Sequence, residues 1–288
     1  MIVIRMTGGL GNQMFQYAYY KALCMRGYDV KIDFEDYYQY QVHNGYELEE
    51  VFGILVKKAT NQESIDSGRS DKRIINKIKR KIKKFLNLIF VYYETVEDST
   101  RYFPKLLNPP PNSYIFGYFA SYKYFAKFDD ELRRDFRFIN KLDEINLNHK
   151  ENIINCNSVS IHIRRGDYLQ HSIYQNICTL EYYKKAIEYI RKNVDNPVFY
   201  VFSNDIPWCK ENLKIENVVF VDNNNGNEAY KDMQLMHYCK HNIIANSSFS
   251  FWGAWLNNNN NKIVVCPSKF YNMSGAGNDV FPSEWIKL

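Results

Sequence analysis

The stretch Val159-Ser160-Ile161-His162-Ile163-Arg164-Arg165-Gly166-Asp167-Tyr168 decides the fold. A short run of strand character ends in two arginines, a glycine and an aspartate, and helices and strands then alternate along the chain. The spacing predicts a helix over Leu180–Lys192, a strand over Val198–Phe202, a short helix near Trp208 and a strand over Val218–Val221. A helix over Ala229–Lys240, a strand over Asn242–Ala245, a helical segment over Phe249–Leu256 and a strand over Ile263–Cys266 follow. Short strands alternating with helices read as a parallel sheet with crossover helices, an α/β fold.

The amino terminus opens in the same way. Ile2–Met6 reads as a strand, Gly8-Gly9-Leu10-Gly11-Asn12 as a turn, Gln13–Arg26 as a helix and Val30–Asp33 as a second strand. A chain of 288 residues accommodates two such lobes, each with its own core. The expected division is an amino-terminal lobe over 1–139, an asparagine-rich linker over 140–157 and a carboxyl-terminal lobe over 158–288. Between Glu47 and Arg137 the periodicity gives no topology: a basic helix, the breaker Asn108-Pro109-Pro110-Pro111-Asn112 and an aromatic run over Tyr114–Phe128 follow one another.

In an open parallel sheet, ligands bind beyond the carboxyl ends of the strands, where following helices aim their amino termini at the same crevice. Four predicted strand ends carry polar groups: His162 to Asp167, Ser203-Asn204-Asp205, Asp222-Asn223 and Asn246-Ser247-Ser248. One nucleotide pocket explains them better than four unrelated loops. Arg164 and Arg165 present fork-shaped donors that suit a pyrophosphate. An interdomain salt-bridge knot is the other reading of the pair. Asp167 could fix an arginine in place, and Gly166 lets the backbone turn sharply. Asn246-Ser247-Ser248-Phe249 before a helix offers hydroxyls and free N–H groups to an anion. Gly8, Gly9, Gly11, Asn12 and Gln13 fit neither a dinucleotide fingerprint nor a P-loop. That turn either brings backbone close to a ligand or is purely structural.

No metal site is expected. His237 and His241 lie four apart around Cys239 without the glutamate of a metalloprotease helix, and Asp33-Phe34-Glu35-Asp36 lacks plain Asp-x-Asp spacing. Six scattered cysteines with no CxxC pair read as reduced thiols of an intracellular protein. No run reaches the roughly 18 apolar residues of a spanning helix, and the first apolar run is too short for a signal peptide. The expected compartment is the cytoplasm. Formal charge is 37 − 32 = +5, and the excess is concentrated in Lys72, Arg73, Lys77, Lys79, Arg80, Lys81, Lys83 and Lys84. Ile74, Ile75, Ile78 and Ile82 recur among these at helical spacing, with Phe85 and Leu86 after them. This amphipathic basic helix is either a solvated insertion or a peripheral contact with an anionic membrane, at the inner membrane face. A nucleic-acid partner is not expected, because no aromatic-rich recognition module accompanies the charge.

Read together, Gly8-Gly9-Leu10-Gly11-Asn12-Gln13-Met14-Phe15-Gln16-Tyr17-Ala18, His162 to Tyr168, Phe202-Ser203-Asn204-Asp205, Asp232-Met233-Gln234-Leu235-Met236 and His241 through Trp255 resemble the bacterial α-1,2-fucosyltransferase family. The resemblance implies two Rossmann-like lobes of the GT-B type. It implies inverting transfer of L-fucose from GDP-fucose to a galactose 2-hydroxyl, with no cofactor and a galactose-containing, lipid-linked oligosaccharide as the natural acceptor. Arg164 and Arg165 inherit the pyrophosphate, His162 and Asp205 the guanosine, and Ser247 to Phe249 a loop near the phosphates. Asn12 is placed near the reaction centre on a turn facing the cleft. Asn204 stands where many relatives carry an aspartate, and the region from Glu47 to Arg137 matches least. Fucosyl transfer of another linkage or to another acceptor, and a non-catalytic nucleotide-sugar-binding protein, are the alternatives.

Overall fold

The computed structural model describes residues 1–39 and 44–288, which form two compact units, Met1–Arg137 and Phe138–Leu288. The first runs β1 (Ile2–Arg5), α1 (Leu10–Met25), β2 (Val30–Asp33), α2 (Glu35–Gln39), α3 (Leu48–Phe52), α4 (Asn61–Ser67), α5 (Ile74–Phe85), β3 (Phe90–Tyr93), β4 (Ser113–Phe116) and α6 (Asp129–Asp135). Its strands pair in parallel in the order β2-β1-β4-β3. Both neighbours of β1 are thus reached by separate crossovers, and the turns after β1 and β4 open where those connections diverge. The strands β3 and β4 escape the sequence reading because β3 is half exposed and shows no alternation of burial.

Helix α1 is buried on almost every side, so aromatic packing rather than an apolar stripe holds it. Tyr19 is wholly buried, stacks on Phe119 at 4.0 Å and donates its hydroxyl to the Leu106 carbonyl at 2.7 Å. Tyr114 is buried likewise and donates to Asp33 at 3.0 Å. Tyrosine therefore fills this core with each of these hydroxyls satisfied, as a buried phenol requires.

The second unit runs α7 (Glu144–Ile154), β5 (Ser158–Ile163), α8 (Leu180–Asn193), β6 (Val198–Ser203), α9 (Ile206–Asn212), β7 (Val218–Val221), α10 (Tyr230–Tyr238), β8 (His241–Ile243), α11 (Ser248–Leu256), β9 (Val264–Cys266) and β10 (Ile286–Lys287). All strands are parallel, in the order β10-β9-β8-β5-β6-β7. The expected α/β class and alternation hold, with ends shifted by a residue or two. The sheet winds outward in both directions from β5 and β8, which puts its topological switch point between them. Its core joins Val159, Ile161 and Ile163 of β5 to Tyr183, Ala186 and Ile190 of α8. Among the described residues no helix is long and apolar enough to cross a membrane.

The stretch 140–157, expected as a linker, has helical structure. It contains α7, and the units divide at Arg137, two residues before the expected boundary at 139. Asp143 caps the helix by accepting from the Asn146 amide at 3.0 Å and pairs with Lys231 at 2.8 Å. Asn146 is fully buried and exchanges amide hydrogen bonds of 2.8 and 2.9 Å with Asn224. The helix docks through amides rather than an apolar face, so hydrophobic periodicity does not reveal it.

Glu94 follows β3 and accepts from the backbone amides of Tyr118 at 2.5 Å and Phe119 at 3.3 Å. It thereby holds a turn in which Phe119 has φ +51°. A Cβ on Gly117 would come within 2.8 Å of this carboxylate, which requires glycine there. Oε1 is buried without a partner, and burial, with Asp98 adding to it, pushes the Glu94 carboxyl up to about 7. A raised acid contributes stability that is present below its unfolded value and lost as pH rises through about 7. Glu94→Gln keeps the acceptor for both amides and removes the buried charge. Its stability relative to wild type should rise by about 1–3 kcal/mol between pH 5 and pH 8 in urea unfolding, and an offset that does not change with pH would refute this account.

Candidate functional site

At the carboxyl end of β5 the backbone amide of Arg165 donates to Asn204 Oδ1 at 2.8 Å. Its Nε donates to Asp205 Oδ2 at 3.0 Å, and its guanidinium lies 3.7 Å from the centre of the Trp208 ring. The other Asp205 oxygen accepts from the Trp208 amide at 3.2 Å and caps α9. One carboxylate thus fixes the arginine and starts the helix that carries the ring beneath it. The terminal Nη pair of Arg165 makes no hydrogen bond among the described residues. Arg164 is held by Asp167 at 2.9 Å and lies over the Tyr168 ring at 5.5 Å. Gly166 has φ +55°, and a Cβ there would come within 2.6 Å of Asn204 Nδ2, so the turn admits only glycine without strain. Both arginine pairings lie within the second unit, so the interdomain-knot reading has no support from them.

The loop after β8 comes to the same place. Tyr168 donates to the Asn246 carbonyl at 3.2 Å, while Asn246 Nδ2 donates to the Phe270 carbonyl at 3.1 Å and its Oδ1 accepts from Cys178 at 3.5 Å. Ser247 is the N-cap residue of α11 and makes no side-chain capping bond, and Ser248 opens the helix. The start of a helix at a switch point favours an anion through its N–H groups and dipole. Phe249 lies 5.7 Å from the His162 ring, tilted by 36°. His162 is buried, and its Nδ1 has no partner. Burial, helped by the Arg164 charge, pushes its imidazole down to about 3, so it is neutral at physiological pH.

The structure therefore brings together His162, Arg164, Arg165, Asp167, Asn204, Asp205, Asn246, Ser247, Ser248 and Phe249 in the second unit. Asp205, expected at a guanosine, commits both oxygens to Arg165 and α9. Tyr168, quoted above only as the end of the motif, and Trp208 complete the arrangement, and their roles beside the arginines escape the sequence reading. No local pattern says which aromatic lies under an arginine from the neighbouring strand.

In the first unit, Gly8 has φ +84°, and a Cβ on it would meet Asn12 Nδ2 at 2.9 Å. Its carbonyl accepts from Gln13 at 2.9 Å and Tyr37 at 2.7 Å. Gln13 is fully buried, donates also to Gly45 at 2.7 Å and accepts from the Glu47 amide at 2.9 Å. Glu47 in turn accepts from the Leu10 amide at 3.0 Å, supplying the acceptor that Gly9 cannot at the start of α1. Gln13 is thus spent on backbone and holds the turn. Gly11 is buried in the first turn of α1, and Asn12 beside it is half-buried.

Among the described residues no group of three or more His, Cys, Asp or Glu side chains is gathered as metal ligands. His241 Nδ1 accepts from the Ile263 amide at 3.0 Å, and the His237 ring packs on Tyr238 at 4.1 Å. All six cysteines are free thiols.

The model of the protein family described as glycosyl transferase family 11 matches residues 1–288. An Escherichia coli alpha-1,2-colitosyltransferase is 36% identical over 304 residues, covering 100% of this chain and 99% of that one. The O-antigen biosynthesis glycosyltransferase WbnK of Escherichia coli is 32% identical over 307 residues, covering 98% and 99%. Among solved structures, a NodZ alpha-1,6-fucosyltransferase soaked with GDP-fucose is matched at 13% identity and a TM-score of 0.47, over 88% of this chain and 92% of that one. With a family match over the whole chain and relatives above 30% identity along its full length, the chain belongs to glycosyl transferase family 11.

Proposed function

We propose that the protein is an inverting galactoside α-1,2-fucosyltransferase that moves L-fucose from GDP-β-L-fucose to the 2-hydroxyl of a galactose-containing acceptor. The observation that carries this reading is the pair of half-buried arginines at the switch point, with the Nη pair of Arg165 unspent. As the bond from the anomeric carbon to the phosphate oxygen breaks, its electron pair passes to the pyrophosphate. Negative charge grows there, and fixed guanidinium donors stabilise it without a metal. The acceptor oxygen forms the new bond on the opposite face of an oxocarbenium-like centre and releases its proton to water, while GDP departs with the electron pair. The α11 amino terminus beside Ser247 and Ser248 adds N–H groups for the same anion. The neutral His162 offers Nδ1 to the nucleoside, and Asn12 orients the acceptor or the sugar.

The family relatives support the coarser reading of a glycosyltransferase with α-1,2 specificity. The colitosyltransferase relative also favours a second donor, because colitose is fucose without its 3-hydroxyl. A non-catalytic nucleotide-sugar-binding protein would keep the pocket and bind donor without turnover. The reading sets the work in the cytoplasm, on a lipid-linked oligosaccharide of a surface glycan.

The purified protein, incubated with GDP-fucose and a panel of β-galactosides in EDTA, should release GDP and yield an α-1,2 fucoside by linkage analysis. Donor binding with no product on any acceptor favours the sensor. A site that hydrogen-bonds the sugar 3-hydroxyl rejects the 3-deoxy donor by about 10⁴-fold, so faster turnover of GDP-colitose assigns the enzyme to colitose. Arg164→Ala and Arg165→Ala should each lower kcat about a hundred- to thousand-fold, the loss typical of one preorganised donor to an oxyanion. Losses below about tenfold in both sink the phosphate assignment. Because the His162 imidazole stays neutral down to about 3, donor affinity measured by calorimetry should show no His162 step between pH 5 and 8. A step near the free histidine value that disappears in His162→Asn would place a protonated imidazole in the site.

A further inference from the structure

Helix α5 is set on the protein the wrong way round for a solvated insertion. At about 100° per residue, Ile74, Phe85, Ile78, Ile82 and Ile75 fall on one arc of roughly 100°. An ordinary surface helix buries such an arc. Here no residue of the helix is buried, and the arc is open, with Ile74 75% and Phe85 86% exposed. Leu86 and Leu88 just beyond it are exposed as well.

The side that is seated is the polar one. Asn76, Arg80 and Lys83 are the only residues of α5 that are partly covered, and they recur at the spacing of a single helix face. Asn76 Nδ2 and Arg80 Nε are buried, and Lys83 pairs with Asp66 at 3.0 Å. Lys79 and Lys81 flank the apolar arc on its two sides, and Lys77 and Lys84 lie further round. Apolar residues in the middle with lysines at both rims match an interface whose interior is hydrocarbon and whose surface is anionic, with the lysine stems lying along the boundary.

We propose that α5 is an interfacial anchor that lays the first unit on an anionic lipid bilayer, with Ile74, Ile78, Ile82 and Phe85 entering the acyl boundary and Lys77, Lys79, Lys81 and Lys84 meeting phosphate headgroups. The helix is about 18 Å long, too short to span, so the contact is peripheral and reversible. It goes beyond the catalytic reading and does not depend on it, since no residue of α5 belongs to the site described above. Charge selects this occupant over a second copy of the chain, whose own α5 would bring the same cations face to face.

The test is co-sedimentation of the whole protein with vesicles of phosphatidylcholine alone and of phosphatidylcholine mixed with phosphatidylglycerol. Partition onto the mixed vesicles should exceed that onto neutral ones at least about tenfold, with each of Lys79→Gln and Lys81→Gln lowering it about fivefold. Ile78→Asp combined with Ile82→Asp should abolish it, while circular dichroism and GDP-fucose binding stay as in wild type, because neither isoleucine is in a core. Three results overturn the proposal: equal partition onto both vesicle types, binding that survives the double aspartate change and so rests on charge alone, or a dimer in light scattering that the same change dissolves. Failure here leaves the transferase reading standing, and failure of the soluble-acceptor assay leaves this one.

Discussion

The contact between Asp205 and Arg165 is the constraint on which the geometry at the carboxyl end of β5 depends. Asp205 and Arg165 are both partly exposed, and a bridge of that kind contributes only about 0–1 kcal/mol to stability. Its consequence is geometric. Asp205 takes Nε and caps α9, Trp208 takes the flat face, and Asn204 takes the backbone amide. An arginine held in this way keeps its long side chain in one position before any ligand arrives. The ordering cost is then met in the folded state rather than at binding. Gly166 completes the clasp, since only a residue without Cβ leaves room for Asn204.

Asn204 also bears on the departure from the resembled family. An aspartate there would bring a second carboxylate beside Arg165, next to Asp205. The amide instead accepts the Arg165 N–H without adding charge, so one carboxylate rather than two lies at this guanidinium. The pair at Arg164 and Asp167 is more exposed and only three residues apart.

Much of this was legible in the sequence because it is local. The motif from His162 to Asp167, the Asn204-Asp205 step and the Asn246-Ser247-Ser248 cap each sit at the end of a short apolar run, and strand-end logic places them side by side once the sheet is parallel. What the sequence does not show is held by distant or non-apolar contacts. Helix α7 packs through Asn146, Asn224 and Lys231, so its asparagine-rich sequence looks like a linker. Glu47 caps α1 from beyond β2, and Glu94 reads as an ordinary surface acid until β3 is known to lie beside β4. Gln13 lies inside the motif that suggested a ligand-facing turn, yet its amide makes backbone bonds. A glycine-rich motif records that a tight backbone is needed, without saying whether a ligand or a neighbouring carbonyl makes it so.

Helix α5 shows the same limit from the other direction. Its periodicity is plain in the sequence, and periodicity fixes which residues share a face but not which face the protein covers. Covering the isoleucines would have contributed about 25 cal/mol for each Å² removed from water, whereas seating Asn76, Arg80 and Lys83 contributes little and leaves two buried donors without partners. An isolated chain has no reason to prefer that arrangement. The preference is restored when the outward face has an apolar phase to enter, with the cations at its rim neutralised by anionic headgroups. On the proposed reading the exposed arc is one half of an interface, and the lysines at its rims match an anionic other half.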